Sequence, residues 1–169
     1  YPAELIAGME MDVTTQTYET VDDLLLYCHR AAGVVGLMMC HVLGVRDDHA
    51  LRHAAHLGIA MQLTNICRDV AEDWQLGRCY IPISMLMNRA ASLSRLGDAS
   101  SLDPASFEEP VRRLLALADE YYSSADRGMA YLDARTAWAI RTARLVYSEI
   151  GRCIAKQGHD ITSGRALSP

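Results

Sequence analysis

An all-α fold is the prediction, and three observations carry it. Leu, Ala, Met and Arg are frequent, with a single Phe and few β-branched runs. Apolar residues recur at helical spacing over long stretches. Helix start and stop residues stand where those stretches begin and end.

The elements follow in order. A short first helix is expected over about residues 3–11. Thr20 with Asp22 and Asp23 makes an N-terminal cap and Gly44 a C-terminal one, enclosing a helix of about six turns. Asp47 or Asp48 opens a second long helix that continues to about residue 74. A polar connector punctuated by Gly77 and Pro82 leads to a short helix near residues 84–90. Residues 91–104 are rich in Ser, Gly and Asp and are expected to be a loop. Pro110 suits the first turn of a further helix reaching about residue 132. Asp133 caps a last helix to about residue 158, and the tail 159–169 has no periodicity. Nothing demands a second domain, so residues 1–169 are expected to form one.

Composition narrows the function. A net charge of −5 and a pI near 5.6 argue against a nucleic-acid binder, which carries a basic stripe. No uninterrupted apolar run approaches the roughly 18 residues of a spanning helix. No signal-peptide pattern opens the chain, which starts at Tyr1. No two of the five cysteines stand within four residues of each other, which argues against a zinc framework. Most lie in apolar helical patterns, and a reducing cytoplasm is the expected compartment.

The informative segment is M-Q-L-T-N-I-C-R-D-V-A-E-D-W-Q-L-G-R-C-Y-I-P, residues 61–82. At about 100° per residue, Gln62, Asn65, Asp69 and Asp73 fall within an arc of roughly 80°. Ile59, Leu63, Ile66 and Val70 form an apolar stripe directly beside them. A surface helix normally sets polar and apolar faces opposite one another. Here they adjoin, so the amide and carboxylate ridge is expected to face a cavity, with Gly58 leaving space on it. Two carboxylates four residues apart repel unless a counter-charge joins them. A hard divalent cation resolves this, because Mg²⁺ joins one or two carboxylates to a substrate phosphate. Asn65 adds a carbonyl oxygen, and Arg68, Arg78 and Tyr80 supply donors suited to phosphate oxygens. A solvated acidic helix end is the plain alternative for a bare D-x-x-x-D. The surrounding residues at these offsets favour the site.

These stretches resemble the squalene and phytoene synthase family of head-to-head prenyl diphosphate synthases. The likeness rests on Y-C-H-R-A-A-G-V-V-G at 27–36, L-G-I-A-M-Q-L-T-N-I-C-R-D-V-A-E-D-W at 57–74 and G-R-C-Y-I-P at 77–82. G-M-E-M-D at 8–12 and Tyr18 also resemble the bacterial phytoene synthase pattern. The resemblance implies an isoprenoid synthase fold, with long helices around a central cavity. It implies condensation of two prenyl diphosphates through a cyclopropylcarbinyl diphosphate, geranylgeranyl diphosphate giving phytoene and diphosphate. Squalene, presqualene or dehydrosqualene synthesis from farnesyl diphosphate is the alternative. By position, Asn65, Asp69 and Asp73 match metal ligands for Mg²⁺, with Mn²⁺ as a substitute. Asp69, Asp73, Tyr27 and Tyr147 match catalytic positions. Gln62, Arg68 and Tyr147 match substrate-contacting positions and Arg165 a late basic residue near the diphosphate; Asn65, Arg78 and Tyr80 complete the expected substrate-binding set. Peripheral membrane association for product release follows from the same likeness.

The family carries two aspartate-rich motifs, and 69–73 is the only D-x-x-x-D in this sequence. The first lies upstream of Tyr1 in the family, so the chain is expected to be the C-terminal portion and inactive alone. Ala31 stands where the family more often has Val. Tyr27, Ala31, Val34 and Met38 share a helical face that could line a prenyl tail. His49, His53 and His56 are expected to be a partly exposed cluster without a metal. A non-catalytic binding module of the same fold, or an unrelated helical interaction domain, are the competing function classes.

Overall fold

The computed structural model describes residues 1–15, 17–45, 47–86, 94 and 96–157. Its helices are α1 (Pro2–Thr14), α2 (Val21–Cys28), α3 (Val34–Val42), α4 (His49–Arg68), α5 (Val70–Gln75), α6 (Ala105–Gly128) and α7 (Ala134–Lys156). Among the described residues the only β feature is an isolated parallel bridge between Thr17 and Cys79.

Thr20 caps α2 in a reciprocal box. The Asp23 amide donates to Thr20 Oγ1 at 3.2 Å, and the Thr20 amide donates to Asp23 Oδ2 at 2.9 Å. Asp133 accepts from the Arg135 and Thr136 amides and starts α7. α6 begins five residues before Pro110, because Pro104 and Asp103 start the turn: the Phe107 amide reaches Pro104 O and Ser106 Oγ reaches Asp103 Oδ2. Pro110 therefore sits inside the helix, not at its start. The short helix expected near 84–90 is reduced to a 3₁₀ turn, Ile83–Met85, and residues 87–90 lie outside the described ones. The amides of Ile83 and Ser84 instead donate to Tyr18 O and Glu19 O, so the connector is stitched to the segment before α2.

Both helices expected to be continuous are interrupted. Between α2 and α3 the chain makes a π turn over His29–Gly33. Such a turn carries extra residues per revolution and rotates whatever follows. Val34, expected on the cavity face with Tyr27 and Ala31, is instead fully buried in a satellite core with Leu37 and Ala55. Val35 and Met39 take the places forecast for Val34 and Met38. The second interruption is at Asp69 (φ −101°, ψ 12°), which ends α4 and starts α5. The ladder still passes through it, because the Asp69 amide donates to Asn65 O and the Asp73 amide to Asp69 O.

α4 is the central element. Its stripe of Ile59, Leu63 and Ile66, continued by Val70 at the start of α5, is buried, each no more than 6% exposed. The stripe shares one core with Phe107, Val111, Leu114 and Ala118 of α6. Each of the Val, Leu, Ile and Phe side chains among them is worth about 1.5–3 kcal/mol of burial. On its other flank α4 meets α3 and the π turn at backbone distance. A Cβ on Gly36 would collide with the Ala54 carbonyl, and one on Gly58 with the Ala32 carbonyl. Gly58 thus serves helix approach as well as the cavity. By length and composition alone, the stretch Val21–Val42 is apolar enough to cross a membrane, with a mean hydropathy of 1.3. Scattered polar residues keep it from being an uninterrupted apolar run, and the π turn at His29–Gly33 divides it.

Candidate active site

The close approach of α3 to α4, with α7 alongside, leaves a cavity of about 340 Å³. Ala31, Val35, Met39 and Leu43 wall it on one side, and α4 lines it from Ala50 to Asn65. Gln62, Asn65 and Tyr147 gather at one end. The rest is overwhelmingly apolar, down to Leu43, Met129 and Leu132 at the other. A long hydrocarbon with a polar head has the matching shape.

The polar end holds Gln62 and Asn65 of the ridge; Asp69 and Asp73 are not among the residues lining the cavity, and Asp73 lines a separate small recess with Arg78 and Tyr80. Asn65 Oδ1 is buried with no hydrogen-bond partner. An orphaned buried carbonyl oxygen costs about 1–3 kcal/mol, so the position waits for a donor or a cation. Asp69 is held by its neighbour: Arg68 Nε and Nη2 donate to Oδ1 and Oδ2 at 2.8 and 2.6 Å. The Arg68 fork is thereby spent on this carboxylate in the absence of a competing anion. The Asp73 carboxyl is pushed up to about 7, first by burial, then by the carboxylates of Asp69 and Glu72, against a smaller pull from Arg78. A site that crowds negative charge is one that a cation relieves. Among the described residues no three His, Cys, Asp or Glu side chains gather as a ready metal cage. Asn65, Asp69 and Asp73 offer an amide oxygen and two carboxylates on successive turns of one helical run.

Tyr27 and Tyr80 lie just behind this ridge. Their rings and that of Tyr18 form a triangle with centroids 5.2–5.8 Å apart. Gln62 Nε2 donates to the Tyr27 hydroxyl at 3.4 Å, and the Tyr80 hydroxyl donates to Asp12 Oδ1 at 2.8 Å. Burial and the Asp12 carboxylate push the Tyr80 phenol up to about 12 and Tyr27 higher still, so both stay protonated donors. Sequence reasoning assigns Asp12 no role beyond its place in the G-M-E-M-D pattern. Nothing in local spacing shows that α1 delivers it to residues 27 and 80. Arg78 flanks Asp73 in a small recess with Tyr80, and its amide donates to Asp73 O. Arg165 lies outside the described residues.

The histidines divide. His49 is exposed, but His53 is buried, and both His53 and His56 place Nδ1 within 2.9 Å of the single hydroxyl of Ser124. Burial, with Arg52 next, lowers both imidazoles, which keeps them neutral. The expectation of a partly exposed cluster fails for His53 because α6 covers it.

The squalene/phytoene synthase family model matches residues 1–169. The chain belongs to this family. It is 44% identical over 158 residues to a 15-cis-phytoene synthase of Enterobacter agglomerans, covering 94% of this chain and 53% of that protein. Identity to the 15-cis-phytoene synthase of Pantoea ananas is 43% over 158 residues, covering 94% and 50%. The crystal structure of squalene synthase HpnC from Alicyclobacillus acidocaldarius superposes with a TM-score of 0.82 at 26% identity, over 94% of this chain and 59% of that one. A dehydrosqualene synthase gives 0.79 at 28%, over 98% and 58%. The isoprenoid synthase fold of this squalene/phytoene synthase chain is therefore established. The chain spans about half the length of the curated relatives it matches.

Proposed function

We propose that this squalene/phytoene synthase chain carries the tail-binding cavity and one metal-binding face of an enzyme that condenses two molecules of geranylgeranyl diphosphate to phytoene. The observation that supports it is the orphaned Asn65 oxygen on the wall of an apolar cavity, one helical turn before Asp69 and two before the crowded Asp73 carboxyl. Asn65, Asp69 and Asp73 would hold Mg²⁺, or Mn²⁺ in its place. The ion supplies positive charge to a departing diphosphate. Arg68, which forks onto Asp69 in the ligand-free fold, and Arg78 beside Asp73 are the guanidiniums that would meet phosphate oxygens. Tyr147 lines the cavity and would face the reacting end of the tails, while the buried Tyr27, which does not line the cavity, holds Gln62 on its wall by accepting from Nε2. The apolar walls exclude water, so an ionised prenyl group rearranges instead of being captured as an alcohol.

The 169-residue chain alone is expected to be inactive, since ionising a diphosphate calls for charge on both sides of it. The product is a hydrocarbon, which favours a cytoplasmic enzyme peripheral to the membrane. Use of farnesyl diphosphate is a second reading, favoured by the squalene and dehydrosqualene synthases among its structural neighbours. The test is incubation of the full-length protein with each substrate and Mg²⁺, followed by product analysis. A C40 hydrocarbon supports the proposal, a C30 product moves the assignment to farnesyl diphosphate, and no product from either overturns both.

A further inference from the structure

The cavity has a measurable length, and that length bears on which prenyl tail it accepts. α4 runs along it, so lining residues act as marks about 1.5 Å apart per residue. Counted from Asn65, Ala54 lies about 17 Å along the helix and Ala50 about 22 Å. With C–C bonds of about 1.5 Å in an extended zigzag, a farnesyl chain reaches about 14 Å and a geranylgeranyl chain about 19 Å. A tail whose head lies at Asn65 therefore passes Ala54 only if it has a fourth isoprene unit.

Ala54 suits the role of a limit. Its side chain lines the cavity and is only half-buried, while its carbonyl faces Gly36 across the helix contact. Enlarging the side chain fills the cavity without touching that contact. Beyond it Met39, Leu43, Ala50, Met129 and Leu132 form an apolar end that nothing else described fills. Resting on the prenyl diphosphate reading above, we propose that Ala54 is a specificity-determining residue: its small side chain admits the fourth isoprene unit, and the pocket beyond it is that unit's subsite.

The experiment measures binding, not turnover. Affinities of farnesyl and geranylgeranyl thiolodiphosphate are taken by calorimetry with Mg²⁺ on the full-length protein and on Ala54→Phe and Ala54→Leu. Ala54→Phe should weaken the geranylgeranyl analogue about tenfold or more and leave the farnesyl analogue within about threefold. Ala54→Leu, the gentler variant, should give the same pattern with a smaller ratio, and it stands in if the Phe variant fails to fold. Equal weakening of both analogues, or no change in either, overturns the inference while the prenyl diphosphate reading stands. Binding of neither analogue by the unsubstituted protein overturns that reading and the inference with it.

Discussion

Asp73 and Asn65 are held in states that a ligand-free fold does not favour, and each can be measured. Asp73 ionises in the fold only near pH 7, against about 4 in an unfolded chain. Between these values the folded chain keeps a proton that the unfolded chain has released, so stability falls as pH rises through that window. Asp73→Asn removes the fall. Its melting temperature should match wild type at pH 4 and exceed it by about 2–4 °C at pH 8, which is about 1 kcal/mol after solvent screening. Equal melting at both pH values would show that the carboxyl is not crowded. The same variant should weaken Mg²⁺-dependent binding of a prenyl thiolodiphosphate, since an amide is a poorer ligand for a hard cation. Asn65→Leu should likewise raise ligand-free melting, by removing a buried unpaired oxygen, and abolish the Mg²⁺-dependent rise. A variant that melts lower yet keeps the full rise would make Asn65 structural.

At the scale of elements, the contact of α3 with α4 decides the cavity's width. Gly36 and Gly58 let two backbones approach where any Cβ would meet a carbonyl oxygen. Gly36→Ala should cost about 1–3 kcal/mol, because the helices must part against packed neighbours. Chemical denaturation monitored by circular dichroism reads that loss, and an unchanged midpoint would mean that the helices are not held this close. The π turn acts on the same wall from the other side. By rotating α3 it sends Val34 into the satellite core and turns Val35 and Met39 to the cavity.

For the whole molecule, apolar side chains on the outer faces of α1 and α7 stand open to solvent. Ile6, Met9 and Val13 lie at helical spacing on α1, with Val13 84% exposed, and Trp138, Leu145 and Val146 lie on α7, with Trp138 73% exposed. Contiguous patches of this kind mark contact surfaces or aggregation sites. The 169-residue chain by itself should therefore self-associate at micromolar concentration, and light scattering after gel filtration reads it. A stable monomer would show that these faces are tolerated in water.

The sequence alone determined the helical class, the buried stripe of α4 and the ridge beside it, because periodicity and capping are local: a residue's neighbours three and four places away decide its face. Thr20 and Asp133 were legible as caps for the same reason. What lies between elements was not legible. Asp12 reaches Tyr80 from 68 residues away, and Ser124 reaches His56 from 68, through helix packing that no spacing rule encodes. The π turn also escaped, since its extra residues are set by the fit of α2 and α3 around α1 and α4, while the local pattern suits an ordinary helix equally well. Residue types placed the ridge. Only the packed helices decided that its Gln62 and Asn65 border a cavity while its carboxylates do not, that Arg68 is spent on Asp69, and that burial drives the Asp73 carboxyl toward neutrality, because desolvation and long-range charge exist only once the chain has folded.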